Sequence, residues 1–314
     1  TLMQLGGSDA ALNAALRLVL LHRDGNLAEC ERLLAEMLSL RDQWGELVPL
    51  AGRDLDDTYL DMAVLPRLER TLEQAICAGL TRLSHSLPSD ILRELSRLAG
   101  ELGHAGGYKD ATSPIAVCAG LHPPPQEAVE HLAHWRALIY LLTKSDGAWR
   151  SGFRSNWLKF DIDTNDGARL GDLVARLRGR DDVLAAIRAV RYLPPAKYTQ
   201  EQWLVTKALF RVLSRAMVEL QLVFAERGEC DFAELGLLAR TALRREDGPH
   251  DLEAAMGMRL QHLLVDEMQD TSTSQYELIE LLTQTWDGHS QTVFLVGDPK
   301  QSIYLFRQAR VERF

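Results

Sequence analysis

Apolar positions in the first two thirds of the chain recur at helical spacing. Leu12, Leu16, Val19 and Leu20 form one stripe, and Leu33, Leu34, Met37 and Leu38 form another. Punctuated by proline and glycine, the same period predicts helices over about 54–79, over 90–102 behind Pro88-Ser89, and over 126–143 behind Pro123-Pro124-Pro125. Residues 103–113, rich in glycine and small side chains, read as a loop, and Pro194-Pro195 is the best candidate for a domain boundary. Beyond it, Thr199 with Gln202 makes a capping box for a helix running to about Arg227, and Asp231 caps another running to about Leu243. After the break at Gly248-Pro249 come two short, wholly apolar runs, Leu263-Leu264-Val265 and Val293-Phe294-Leu295-Val296. They are too short for helices and read as strands buried on both faces. Residues 274–285 between them carry Tyr276, Leu278, Ile279, Leu281 and Leu282 at helical spacing, so the segment has the size of a βαβ unit. The pattern thus predicts a mainly α protein with an α/β part: a helical domain over 1–195 and a parallel-sheet domain over 196–314.

Composition narrows the class. With 314 residues, 46% of them apolar and 25% charged, the chain can bury a substantial core, which excludes a disordered tail or a disulfide mini-protein. Apolar runs such as 137–142 stop far short of the ~18 residues a spanning helix needs, and the start Thr-Leu-Met-Gln-Leu lacks a basic leader region. A cytoplasmic protein with no membrane partner is expected. Cys30, Cys77, Cys118 and Cys230 are too widely spaced for a zinc knuckle or a redox pair and read as buried thiols. The net charge of −9 provides no global attraction for a polyanion, so any nucleic-acid contact must be local.

Both expected strands end in acids, Asp266-Glu267 after the first and Gly297-Asp298 after the second. Ligands of an open parallel sheet bind beyond the carboxyl ends of its strands. Adjacent residues leaving a strand point to different sides, so one carboxylate can hold Mg²⁺ while the other orients or deprotonates a water. Mg²⁺ takes one or two carboxylates and completes its shell with phosphate oxygens and waters, which suits phosphoryl transfer. For the dipeptide by itself, a strand simply ending in an acidic turn is the commoner case.

The longer strings are more specific. Leu264-Val265-Asp266-Glu267-Met268-Gln269-Asp270-Thr271-Ser272 resembles the Walker B element, motif II, of superfamily 1 DNA helicases of the UvrD/Rep type. The stretch from Val296-Gly297-Asp298-Pro299-Lys300-Gln301 through Ser302-Ile303-Tyr304-Leu305-Phe306-Arg307-Gln308-Ala309 resembles motif III of the RecB-like branch. Asp231-Phe232-Ala233-Glu234-Leu235 is similar, more loosely, to the Asp-Phe-x-Asp-Leu stretch that precedes motif II in that family. The resemblance implies a helical insertion followed by the distal part of a RecA-like, P-loop NTPase domain. It further implies an ATP-dependent 3′-to-5′ DNA helicase acting in repair or recombination, with ATP and Mg²⁺ as cofactors. Its partners would be single-stranded DNA, the single-strand/duplex junction and the other members of a helicase–nuclease complex.

By that resemblance Asp266 holds the magnesium of MgATP, Glu267 activates the hydrolytic water, Gln269 and Asp270 tie the loop to the site, and Gln301 senses the γ-phosphate. Tyr304 and Phe306 would form a stacking platform for single-stranded DNA, with Arg307 adding a phosphate or cation–π contact. Asp298 would brace its loop. Two positions depart from the family pattern, Leu305 where a basic residue is frequent and Gln308 where glycine is frequent, and they bear on the DNA contact.

A phosphate-cradling Gly-x-x-x-x-Gly-Lys-[Ser/Thr] loop is absent from the sequence. None of the six lysines, Lys109, Lys144, Lys159, Lys197, Lys207 and Lys300, follows a glycine. In the family this loop lies upstream of the helical insertion and further arginine-bearing motifs lie in a second RecA-like domain. The sequence therefore reads as the middle of a helicase, inactive by itself. The alternatives are a non-catalytic module that binds DNA or a protein, and a metal nuclease built on Asp266, Glu267 and Asp298. Elsewhere, Trp149, Phe153 and Trp157 recur every four residues beside Arg150, Arg154 and Lys159. They fit either an aromatic core stripe or a contact with the duplex backbone. Glu127, His131 and His134 share helical spacing that could bring metal ligands together, short of a full set.

Overall fold

The computed structural model describes residues 9–48, 55–104, 113–158, 160–244, 257 and 259–298. In chain order the helices are α1 (Ala10–His22), α2 (Leu27–Ser39) and the short α3 (Arg41–Trp44). A turn at Asp57–Tyr59 and a π-helical turn at Leu60–Val64 then lead into α4 (Leu65–Ser86) and α5 (Ser89–His104). Single 3₁₀ turns at Pro114–Cys118 and Val129–His131 precede α6 (Leu132–Leu142) and α7 (Ser155–Leu158). Next come α8 (Thr164–Leu177), α9 (Asp181–Arg191), α10 (Gln200–Arg227) and α11 (Phe232–Leu243). The chain continues through β1 (His262–Val265), a 3₁₀ turn at Met268–Asp270, α12 (Thr273–Thr283) and β2 (Thr292–Leu295). The described part is mainly helical with one small parallel sheet, and none of its helices is long and apolar enough to cross a membrane.

The helix starts follow the sequence closely. Asp9 caps α1 by accepting from the N–H groups of Ala11 and Leu12 at 2.9 and 3.0 Å, and Asn26 caps α2. Asp231 caps α11 through the Glu234 N–H at 2.9 Å. Ser272 and Gln275 form a reciprocal capping box at the start of α12.

The chain divides into two compact units, one made of 1–57 and 202–314, the other of 58–201. This differs from a contiguous helical domain over 1–195. The first three helices pack with the C-terminal elements, and Arg41 shows why. Its guanidinium, 2% exposed, donates to Asp231 and Glu234, some 190 residues further along the chain, and to the Leu38 carbonyl, and it lies 5.5 Å from the Phe224 ring centroid. A buried cation this well answered fixes where its segment belongs. Asp57, where the chain passes into the second unit, is paired with Lys207 at 3.4 Å and Arg211 at 2.6 Å within the first.

The 58–201 unit holds the larger apolar core, centred on Trp135, Leu138, Leu141, Phe160, Leu170 and Ile187. The Trp135 indole N–H donates to the Gln126 carbonyl at 2.9 Å, satisfying the one polar atom it buries. Helix α5 lies so close to the turn after Cys118 that a Cβ on Gly103 would stand 2.6 Å from the Ala119 nitrogen, so only glycine fits there. Helices α8 and α9, not among the helices read from the sequence, supply Leu170, Leu173, Val174, Val183, Ile187 and Val190 to this core.

Candidate functional site

The strands β1 and β2 are parallel neighbours, with Leu264 opposite Phe294 and Val265 opposite Leu295. The pairing extends past the strand ends, since the Val296 N–H donates to the Val265 carbonyl at 2.8 Å and the Met268 N–H to the Val296 carbonyl at 2.9 Å. The expectation of strands buried on both faces fails. Leu264 is 68% exposed and Phe294 64%, in a described sheet of only two strands. The apolar character still sets the strands, but it does not by itself supply a second layer.

Asp266 and Glu267 leave β1 side by side, both exposed. Glu267 adopts a left-handed backbone with φ 52°, uncommon for a residue with a side chain, and its N–H is held by Asp266 Oδ1 at 2.9 Å. That kink turns the chain sharply into the 3₁₀ turn, where Met268 and Gln269 are buried.

Gln269 links the two strand ends. Its amide Nε2 donates to Glu267 Oε2, and its Oε1 accepts from the Asp298 N–H at 3.0 Å. The side chain is 2% exposed, so both ends of the amide are spent inside the protein. Gly297 makes this possible: a Cβ there would lie 2.5 Å from Gln269 Oε1 and 3.1 Å from the backbone nitrogens of Met268 and Gln269. The sequence places Gly297 directly after an apolar strand, and the structure gives that glycine its role.

Asp270 points away from this link. It lines a cleft with residues of α3 and α11, and its Oδ1 is buried without a hydrogen-bond partner among the described residues. Behind the turn, α12 is tied down by charge. Glu277 pairs with Arg240 at 2.9 Å and with Arg244, and these bonds hold its carboxyl below the usual range against the opposing effect of burial. Ser274 donates to Asp42 at 3.0 Å. The Asp231 carboxylate is likewise held below its ordinary value by the Arg41 guanidinium.

These sequence and structural features coincide with a known family. Residues 183–314 match the family model described as the UvrD/REP helicase N-terminal domain, a stretch that contains both strand ends. Over that stretch the chain is similar to the UvrD/REP helicases. An ATP-dependent helicase/nuclease subunit of Staphylococcus aureus strain JH9 is 36% identical over 104 residues, which is 33% of this chain and 8% of that protein. Its counterpart in strain NCTC 8325 / PS 47 matches equally. The aligned segment thus spans less than a tenth of these relatives.

Of the residues expected to act in the matched segment, the structure brings Asp266, Glu267, Gln269 and Asp298 together. Gln301, Tyr304, Phe306 and Arg307 lie outside the described residues, as does Lys159. Arg150 requires a correction. Expected as a duplex contact, it is 7% exposed and donates to the carbonyls of Tyr140 at 2.8 Å and Thr143 at 3.0 Å, with its guanidinium 5.1 Å from the Tyr140 ring centroid. Burial lowers its pKa, and its role is to close the 143–150 turn on the end of α6. Trp149 and Phe153 pack against the core, while Arg154 is exposed. The His131 and His134 rings meet edge to face at 5.4 Å, and no group of three or more metal-ligating side chains that could hold an ion occurs among the described residues.

Proposed function

We propose that this chain is part of the motor of an ATP-dependent DNA helicase that couples nucleotide hydrolysis to 3′-to-5′ movement on single-stranded DNA. It would work in the cytoplasm, in repair or recombination, within a helicase–nuclease complex. The observation that supports the reading best is the Gln269 bridge, which binds the Asp266-Glu267 end of β1 to the Gly297-Asp298 end of β2. In a RecA-like arrangement this is the crevice where the nucleotide sits.

The donor set fits magnesium held chiefly by a nucleotide. Asp266 offers an exposed carboxylate, and an all-protein cage is missing among the described residues. Such a single hard oxygen ligand suits Mg²⁺, whose other positions go to phosphate and water. When bound, MgATP supplies the γ-phosphoryl group that hydrolysis transfers to water. Glu267 is then the base: its backbone is fixed by the left-handed turn and its carboxylate by Gln269, so it is oriented to take the proton of the attacking water. Gln301 reports the γ-phosphate, and Tyr304 and Phe306 stack on bases while Arg307 meets phosphate. Arg154 and Lys159 remain the proposed duplex contacts.

One observation favours a second reading for the chain alone, a binding module without turnover: no lysine follows a glycine anywhere in its 314 residues. ATPase assays with a single-stranded oligonucleotide separate the two levels. The chain by itself should show background turnover. The parent enzyme should show DNA-stimulated turnover that Glu267→Gln lowers by about 10²-fold or more. An unaffected Glu267→Gln parent would overturn the motor assignment, and Glu267-dependent turnover by the chain alone would overturn its inactivity.

A further inference from the structure

A cleft of about 590 Å³ opens within the 1–57/202–314 unit, between the start of α3, the first turns of α11 and the start of α12. Its walls are apolar at Leu40, Ala233 and Leu278, and the ring of Phe232 stands at the rim, 91% exposed. Two carboxylates face it, Asp42 and Asp270. The side chain of Asp42 is met by a neutral hydroxyl, that of Ser274 at 3.0 Å, and Oδ1 of Asp270 accepts nothing among the described residues. The cation in the lining, Arg240, pairs at 2.9 Å with Glu277, which Arg244 shares, and donates to the Asp42 backbone carbonyl at 3.3 Å. The cleft therefore presents two carboxylates with no ion pair among the described residues, an excess of one negative charge once Glu277 is set against Arg240 and Arg244, beside an apolar wall and an exposed aromatic face.

We infer that this cleft is a docking site for a partner polypeptide that inserts a lysine or arginine flanked by apolar residues. The cation answers Asp42 and Asp270, its aliphatic stem lies along Leu40 and Leu278, and Phe232 closes over it with its ring face. The volume suits one long side chain with its neighbours. The same two charges repel a phosphate backbone, which excludes DNA as the occupant, and the chain's net charge of −9 favours the approach of a basic segment. The cleft shares Asp270 with the turn after β1, and the inference rests on the lining of the cleft, not on nucleotide binding.

The probe is a fluorescein-labelled pentapeptide, Leu-Leu-Arg-Leu-Leu, titrated against the full chain by anisotropy, with Leu-Leu-Glu-Leu-Leu as its charge-reversed control. The arginine peptide should bind about tenfold or more tighter than the control and weaken with added salt. The Asp42→Asn/Asp270→Asn double variant should lose about tenfold. Phe232→Ala, a change at a ring too exposed to unfold the protein, should weaken binding several-fold, and Glu267→Gln should leave it unchanged. Equal affinity for the two peptides, no binding of the arginine peptide up to about 1 mM, or wild-type affinity in the double variant and in Phe232→Ala would each overturn the proposal.

Discussion

Gly297→Ala tests the contact on which the strand-end arrangement rests. The backbone at Gly297 lies outside the left-handed region, so the substitution introduces no φ strain, and its cost is steric. The new methyl would stand 2.5 Å from Gln269 Oε1, and the two backbone nitrogens at 3.1 Å close off retreat on that side. Gln269 is buried and cannot swing into solvent, so either its amide abandons the Asp298 N–H and the Glu267 carboxylate or the turn itself shifts. Overpacking of this kind costs about 1–3 kcal/mol. At about 1.4 kcal/mol per tenfold, local opening should rise by roughly 5- to 100-fold. Native-state amide exchange reads this directly at the Met268 and Val296 N–H groups, whose bonds at 2.9 and 2.8 Å stitch the turn to the sheet. Gly236→Ala is the control, a helical site on α11 with nothing within 4 Å of the added carbon. It should protect its surroundings by about 0.5–1 kcal/mol. Unchanged exchange at Met268 and Val296 in Gly297→Ala would refute the bridge as the element that fixes Glu267.

Asp231→Asn keeps an N-cap on α11 but removes the charge that answers Arg41, and Asp231→Ala should cost about 1 kcal/mol more through the lost cap. Because Arg41 holds the Asp231 pKa below its ordinary value, the stability this pair contributes is present above about pH 4. It is lost as pH falls through the depressed folded value. An acid titration of stability should therefore be shallower below pH ~4 in Asp231→Asn, and an identical curve would exclude the linkage. Charge reversal separates the two arginines that the sequence pairs as duplex contacts. Arg150→Glu should destabilise the 58–201 unit by about 3–5 kcal/mol in thermal unfolding, since it buries an unpaired carboxylate against two carbonyls. Arg154→Glu, at an exposed position, should change stability by no more than ~0.5 kcal/mol.

Local chemistry was legible from the residues. Caps and periodicity located α10, α11 and α12, and apolar runs of three and four residues located the two strands, because a helix start or a strand is decided by interactions within a few residues. The spacing of the strings around Asp266 and Gly297 announced the candidate site, and the structure added the reason for it in the Gln269 bridge across 29 residues. Helices α8 and α9 were legible but not read: Leu170, Leu173, Val174 and Leu177, and Val183, Ile187 and Val190, stand at helical spacing, and the structure buries those faces in the 58–201 core.

The sequence alone determined the main capped helices, both strands and the acids that end β1 and β2. Only the tertiary structure decided that residues 9–48 belong with the C-terminal elements, that Arg150 is buried, and that the strands keep open faces. The reason is one of range. Arg41 and Asp231 are 190 residues apart, and their attraction exists only after the chain between them has folded and brought them together. A pattern of apolar positions tells which side of each element avoids water, but not which other element it meets there.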